Sequence, residues 1–147
     1  MAIEQIDPAQ AHETMKKGEN AIYLDVRTEE EFDRGHPTGA INVPVVFIKG
    51  PGNMQPNDQF LEVVGKIVPK DQHVLVGCMS GGRSQRACEI LEGAGYKHLA
   101  NVRGGFGGAR DGSGAVTVKG WRDAGLPVSE KTTDNTYAAM RRKAELA

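Results

Sequence analysis

One segment concentrates the side chains that can do chemistry: Cys78-Met79-Ser80-Gly81-Gly82-Arg83-Ser84, preceded by Val74-Leu75-Val76-Gly77 and followed by a helical pattern from Ser84 or Gln85 to Gly93. A cysteine at the C-terminal edge of a buried strand, with a glycine-bearing loop that opens a helix, stands where open parallel sheets bind ligands. Successive amide N–H groups curled about one point make an anion nest, and the helix N-terminus adds partial positive charge. Both favour thiolate over thiol at Cys78. Arg83 adds a cation that keeps its proton. The chemistry this suits is nucleophilic attack by sulfur, with anionic products. The bland alternative for Cys78 is a small buried hydrophobe, which would leave the loop's two glycines and arginine without a purpose.

Cys88 reads the other way, as an inert core residue beside Ala87 and three positions before Leu91. Ten helical positions at about 1.5 Å each keep it beyond the ~5.5 Å Cα separation of a disulfide with Cys78. His12, His36, His73 and His98 are scattered one per segment, and no Cys or His pair has zinc-ligand spacing, so neither metal nor cofactor is expected. His36, in Arg34-Gly35-His36-Pro37, reads as a turn hydrogen-bonder rather than a base. No GxSxG elbow or GxxxxGK[ST] loop is present. Gly104-Gly105-Phe106-Gly107-Gly108 lacks the GxGxxG order and a later acidic partner, so it is discounted as a nucleotide loop.

The elements that must position these groups alternate between strand and helix. Ala21 to Val26, Ile41 to Val43, Val74 to Gly77 and Leu99 to Val102 are short β-branched runs, the mark of βαβ units and a parallel sheet covered on both faces. Helices are expected from Asp7-Pro8 to Lys17, stopped at Gly18; from the capping box Thr28-Glu29-Glu30-Glu31 into Phe32; over Phe60 to Val68 with Asn57 or Asp58 as N-cap; and through Ala87, Ile90, Leu91 and Ala94 to a cap at Gly95. A last one runs from Asn135 or Thr136 to Leu146, with Tyr137, Met140 and Ala144 on one stripe that docks on its own domain. Gly50 to Asp58 and Gly107 to Gly120 read as surface loops, the second with a strand-like Ala115 to Val118 that makes a small flap. Each is as readily a tolerated excursion as part of a site.

Composition bounds the rest. The chain has 147 residues, enough for one domain whose core needs no disulfide or metal staples. Eighteen Lys and Arg against nineteen Asp and Glu leave a net charge of -1, which argues against non-specific binding to nucleic acid or anionic membranes. No apolar run approaches a membrane span, and Met1 to His12 reads as neither signal nor transit peptide, so a cytoplasmic location is expected. Thirteen of the nineteen glycines lie from Gly77 onward, placing tight turns or backbone–ligand approach in the second half.

The sequence resembles the single-domain rhodanese (thiosulfate sulfurtransferase) family over nearly its whole length. Tyr23-Leu24-Asp25-Val26-Arg27, Glu31-Phe32 and Gly35 to Pro44 (GHPTGAINVP) match its first signature, and Cys78 to Ser84 its active-site loop. Gly104-Gly105-Phe106 with Trp121 and Ala124 to Val128 (AGLPV) resembles its closing signature, although Gly107 to Gly120 intervene before the tryptophan. The resemblance implies a rhodanese-like α/β fold with a five-stranded parallel sheet flanked by helices on both faces, a domain over 1–131 and a C-terminal helical extension over 132–147. It implies that Cys78 attacks the outer sulfur of thiosulfate, releases sulfite, and holds a persulfide for cyanide or a thiol, a protein thiol included. The amides of Met79, Ser80, Gly81, Gly82, Arg83 and Ser84 would cradle that persulfide. Asp25 and Arg27 then read as an ion pair fixing a strand end, or as pocket-shaping groups, and Trp121 and Phe106 as core or lid packing. Arg83 leans toward an anionic donor, since related mercaptopyruvate sulfurtransferases prefer a loop without the arginine. Two rivals stand beside this reading. A cysteine-dependent phosphatase or arsenate reductase would want a loop one residue longer, and a non-catalytic binding module would be expected to lack the cysteine.

Overall fold

The computed structural model describes residues 3–17 and 20–145; the expected stop at Gly18 and the end of the last helix at Leu146 lie outside them. In chain order the first elements are β1 (Glu4–Ile6), α1 (Pro8–Lys16), β2 (Ala21–Asp25), α2 (Glu29–Asp33), β3 (His36–Pro37), β4 (Ile41–Asn42), β5 (Val46–Ile48) and β6 (Met54–Pro56). There follow α3 (Phe60–Ile67), β7 (His73–Gly77), α4 (Gly82–Gly93), β8 (Leu99–Val102), β9 (Ala109–Arg110), β10 (Val116–Val118), β11 (Val128–Ser129) and α5 (Tyr137–Lys143).

Five strands pair in the order β1-β8-β7-β2-β4, all parallel, as expected. After β2 the chain moves outward to β4, then returns to lay β7 on the other side of β2. The strand order therefore reverses between β2 and β7, and the crevice beyond their C-terminal ends is where such sheets take ligands. Cys78 leaves β7 there, and Arg27 leaves β2 beside it.

Alternation along each strand gives the sheet two apolar faces. Leu24, Val74 and Val76 face Phe60, Val63 and Val64 of α3, Ala87 and Leu91 of α4, and Tyr137 and Met140 of α5. Tyr23, Leu75, Ala100 and Val102 face Ala11 of α1, Phe32 of α2 and Trp121. Burial on both sides is why the inner strands read as unbroken apolar runs. The edge strand β1 is three residues long and carries Glu and Gln, so hydrophobic pattern alone did not reveal it. The stripe of α5 docks on its own core as expected, with Tyr137, Met140 and Ala144 each under 5% exposed.

Three local expectations are corrected. The N-cap of α3 is Gln59, not Asn57 or Asp58; Asn57 sits two residues earlier, accepting from the Gln59 N–H at 3.0 Å while its own amide donates to Pro44 O and the Tyr137 hydroxyl. Helix α4 begins at Gly82, two or three residues earlier than expected, because Gly81 at φ +120° makes the turn from loop to helix without a spacer. The Gly50 to Asp58 loop is partly a hairpin, in which Met54–Pro56 pairs antiparallel with Val46–Ile48 around a turn at Gly50 and Gly52. The sequence Met-Gln-Pro shows no strand alternation, and backbone pairing supplies what its pattern lacks.

Candidate active site

Gly77 ends β7 over the Tyr23 ring, where a Cβ would overlap the Tyr23 hydroxyl. The next residue, Cys78, is 2% exposed and forms the floor of a cavity of about 370 Å³. Its Sγ accepts from the Gly81 N–H at 3.0 Å, and the Ser84 hydroxyl lies 3.4 Å away. That hydroxyl has one proton and a closer acceptor, Asn101 Oδ1 at 2.5 Å, while Asn101 in turn donates to Gln5 at 2.9 Å. The shorter contact takes the proton, so the main-chain donor is the one the sulfur depends on.

The run Gly104 to Gly108 explains why that donor points inward. Phe106 N–H donates to Cys78 O at 2.8 Å, Gly107 N–H to Met79 O at 2.8 Å, and Gly104 N–H to Ser80 O at 3.2 Å. In a trans peptide the carbonyl and the following N–H point in opposite directions. Drawing three carbonyls outward therefore turns the N–H groups of Met79, Ser80 and Gly81 toward the loop interior. The N–H groups of Gly82, Arg83 and Ser84 belong to the first turn of α4, where no intrahelical acceptor exists. The loop positions read from sequence thus come together as a cradle of main-chain donors, with Ser84 buried, Met79 and Arg83 half-buried, and Ser80 and Gly82 exposed. Setting aside the Gly104 to Gly108 run as a nucleotide loop left it without a role, and its role is this clamp. Its glycine density was the available signal. Gly105, at φ +48°, lies so close that a Cβ would overlap the Cys78 carbonyl. Gly105→Ala is expected to shift the loop by ~1 Å and lower the rate of Cys78 chemistry about a hundredfold. A sulfur-transfer assay beside a thermal melt checks this; an unchanged rate would show that the clamp does not set the loop.

Arg83 departs from the expected role. Its guanidinium pairs with the Glu31 carboxylate, Nη1 to Oε1 at 2.7 Å and Nη2 to Oε2 at 3.0 Å. Glu31 also completes the expected α2 capping box by accepting from Thr28 N–H at 3.0 Å. Burial alone would raise the Glu31 carboxyl, but the bonds from Arg83 and Thr28 and the charges of Arg83 and Arg27 outweigh it and hold the group below its usual 4.5. Burial likewise works against the charged Arg83, and Glu31, followed by the charges of Cys78 and Asp25, reverses the direction. Because the folded carboxyl is depressed, the pair's stability is present above about pH 4.5 and is lost as pH falls through the lower folded value. Glu31→Gln is expected to cost about 1 kcal/mol at neutral pH and to flatten the acid limb of stability against pH. Melting curves of the two proteins that run parallel through acid pH would show that the pair carries none of this.

The Asp25 and Arg27 pair is as expected in kind. Both side chains are 2% exposed and joined at 2.8 Å, with a second bond from Arg27 Nε to Oδ1 at 3.0 Å. Arg27 also donates to Gly35 O at 2.8 Å and lies 4.5 Å from the centroid of the Phe106 ring. It therefore ties the end of β2 to the α2–β3 connection and to the clamp.

Comparison with known proteins decides the family: the model of the rhodanese-like domain matches residues 7–110. The chain belongs to the rhodanese family. It is 35% identical over 143 residues to Protein HIGH ARSENIC CONTENT 1 of Arabidopsis thaliana, covering 97% of this chain and 76% of that one. To Thiosulfate sulfurtransferase 16 of the same plant it is 43% identical over 96 residues, covering 65% of this chain and 78% of the other. The crystal structure of Rv0390 from M. tuberculosis aligns with a TM-score of 0.73 at 31% identity, over 89% of this chain and all of that one.

Within this rhodanese domain the residues set apart as structural are packed. His36 is buried, in the short strand β3 rather than a turn, with Nδ1 2.8 Å from Phe32 O. Trp121 is buried against Tyr23 and donates to Pro127 O at 2.7 Å. The residues between Gly107 and Gly120 loop out as the β9–β10 hairpin, the flap read from sequence, and Trp121 N–H returns to Gly105 O at 2.8 Å. The insertion thus leaves the tryptophan beside the Gly-Gly-Phe it belongs with. Cys78 and Cys88 are both free. At the opposite, N-terminal edge of the sheet, Glu4, His73 and His98 bring their ligand atoms within 4.8 Å of one another, a grouping their scattered positions concealed. The two imidazoles stack face to face, 3.8 Å apart and 2° from parallel, so their in-plane lone pairs run side by side and do not converge on one point.

Proposed function

We propose that this protein is a sulfurtransferase that takes the outer sulfur of thiosulfate onto Cys78 and passes it to a thiophilic acceptor. The observation that carries the reading is the Gly81 N–H held 3.0 Å from Sγ inside a loop whose amides face inward. In the first half-reaction the Cys78 thiolate attacks the outer sulfur of thiosulfate, a new S–S bond forms, and the old one breaks with its electron pair leaving on sulfite. The product is a Cys78 perthiolate, whose negative charge falls among the loop amides and the N-terminus of α4. In the second half-reaction an acceptor takes the outer sulfur and Cys78 is freed as thiolate. Splitting the transfer in this way needs no separate general base if the thiolate is already formed. The loop residues Met79 to Ser84 act through their main chain, and Asp25 and Arg27 act by holding the end of β2.

The rival reading, chemistry on a tetrahedral oxyanion such as arsenate, draws support from similarity to a relative whose name refers to arsenic. Loop length favours sulfur: Cys78 to Arg83 is six residues, one fewer than a loop that encircles a larger tetrahedral oxyanion would want. Intact mass spectrometry after incubation with thiosulfate, and separately with arsenate and a thiol, tests both. A gain of one sulfur that cyanide removes is expected. Arsenate consumption with no sulfur gain would replace the proposal by its rival.

A further inference from the structure

We propose that Arg86 is the anion-recognising residue of the Cys78 pocket, and that the acceptor it selects is a small thiol carrying a carboxylate. The proposal deepens the sulfur-transfer reading above and rests on it. The cavity over Cys78 has an uncharged wall of Val45, Val46 and Met54 and a charged one of Arg83 and Arg86. The two arginines are three positions apart on α4, on one face and one turn from each other. Their electrostatic states differ. Arg83 gives both terminal nitrogens to Glu31 and offers the pocket a neutralised pair. Among the described residues no carboxylate pairs with Arg86, whose side chain is exposed. The net positive charge on this wall is therefore that of Arg86, the residue sequence reasoning passed over in favour of Arg83.

The uncharged lining says what else the ligand carries. Val45 is buried, Val46 half-buried, and Met54 is 58% exposed at the mouth, an adaptable apolar side chain left to solvent. A donor as compact as thiosulfate fills the space at the loop amides. A thiol on a short aliphatic arm reaches one helical turn further, about 5.4 Å, placing its methylenes against the valines and methionine and its carboxylate on the Arg86 fork. In the transfer step the acceptor thiol first gives its proton to the outer sulfur of the Cys78 perthiolate, and the thiolate so formed attacks that sulfur. A bond forms from acceptor sulfur to outer sulfur, the bond from outer sulfur to Sγ breaks, its electron pair returns to Cys78 as thiolate, and the proton leaves with the transferred sulfur.

The test loads the protein with thiosulfate, removes the excess, and times sulfur transfer to mercaptopropionate and to the neutral mercaptoethanol. Arg86→Ala is expected to lower the ratio of the two rate constants about tenfold, the size of one charge-assisted hydrogen bond. Arg86→Glu should lower it further and Arg86→Lys restore most of it. A ratio unmoved by Arg86→Ala overturns the proposal. A second readout needs no sulfur transfer: alkylation of Cys78 by iodoacetate relative to iodoacetamide, whose ratio should fall in Arg86→Ala as well. A fall there in a protein that takes no sulfur from thiosulfate would keep the anion site and remove the sulfur-transfer reading. Persulfide formation with both ratios unmoved would keep the transfer and remove Arg86.

Discussion

Cys78→Ser is expected to abolish both the gain of sulfur from thiosulfate and its delivery to cyanide, while Cys88→Ser keeps both. The contrast rests on environment. Cys78 meets a main-chain donor at the open end of the crevice, whereas Cys88 is fully buried on the inner face of α4, its thiol pushed up to about 12 by burial and then by the charges of Glu89, Cys78 and Glu92. A thiol that far up holds almost no thiolate at pH 8, so iodoacetamide should label Cys78 alone in the folded protein. Setting a serine hydroxyl among Ala87, Leu91 and the strands they cover should cost about 1–2 kcal/mol of stability without touching the loop. Intact mass after thiosulfate and urea unfolding of both variants measure the two halves of this expectation. Sulfur gain by Cys78→Ser would remove the cysteine from the mechanism.

Asp25→Ala is expected to carry the largest stability cost of any single side-chain truncation described. It would leave the Arg27 guanidinium buried without a paired carboxylate, facing one backbone carbonyl and the Phe106 ring, since Glu31, whose carboxyl feels the Arg27 charge, is bonded to Arg83. Removing one partner of a buried pair costs about 3–5 kcal/mol, against a total of about 5–15 for a domain of this kind. Should that variant fail to fold, the double replacement Asp25→Leu with Arg27→Met keeps the question open to measurement, because it removes both charges and should recover most of the loss. Urea midpoints of wild type, single and double variants decide it. A double variant as unstable as the single would mean that the pair's geometry, and not its charge balance, holds the end of β2.

Much of the framework was legible because parallel strands buried on both sides advertise themselves as apolar runs, and because caps such as Asp7-Pro8 and Thr28 to Glu31 are local chemistry. The candidate nucleophile was legible for the same reason: Cys78 follows one such run and precedes glycines. What stayed hidden depended on distance. The bond between Arg83 and Glu31 joins residues 52 positions apart, and no local pattern reports that a cation is already satisfied. The β5–β6 hairpin hid because Met-Gln-Pro has neither alternation nor strand propensity, although it supplies a wall of the pocket. The clamp hid because its work is done by main-chain N–H groups, which carry no side-chain signature.

The way the β9–β10 insertion is fastened bears on what can be changed in this protein. Its two ends meet at Gly108 and Gly120, where a Cβ on Gly120 would overlap the Gly108 backbone, and Trp121 continues from there into the core. The tip beyond that clasp hangs outside: residues 111–117 are exposed and belong to neither apolar cluster. The insertion is a grafting port. A peptide tag, an epitope or a tether to a second enzyme can replace its tip while the clasp absorbs the join, so this rhodanese domain could be wired to a chosen partner without touching the loop around Cys78.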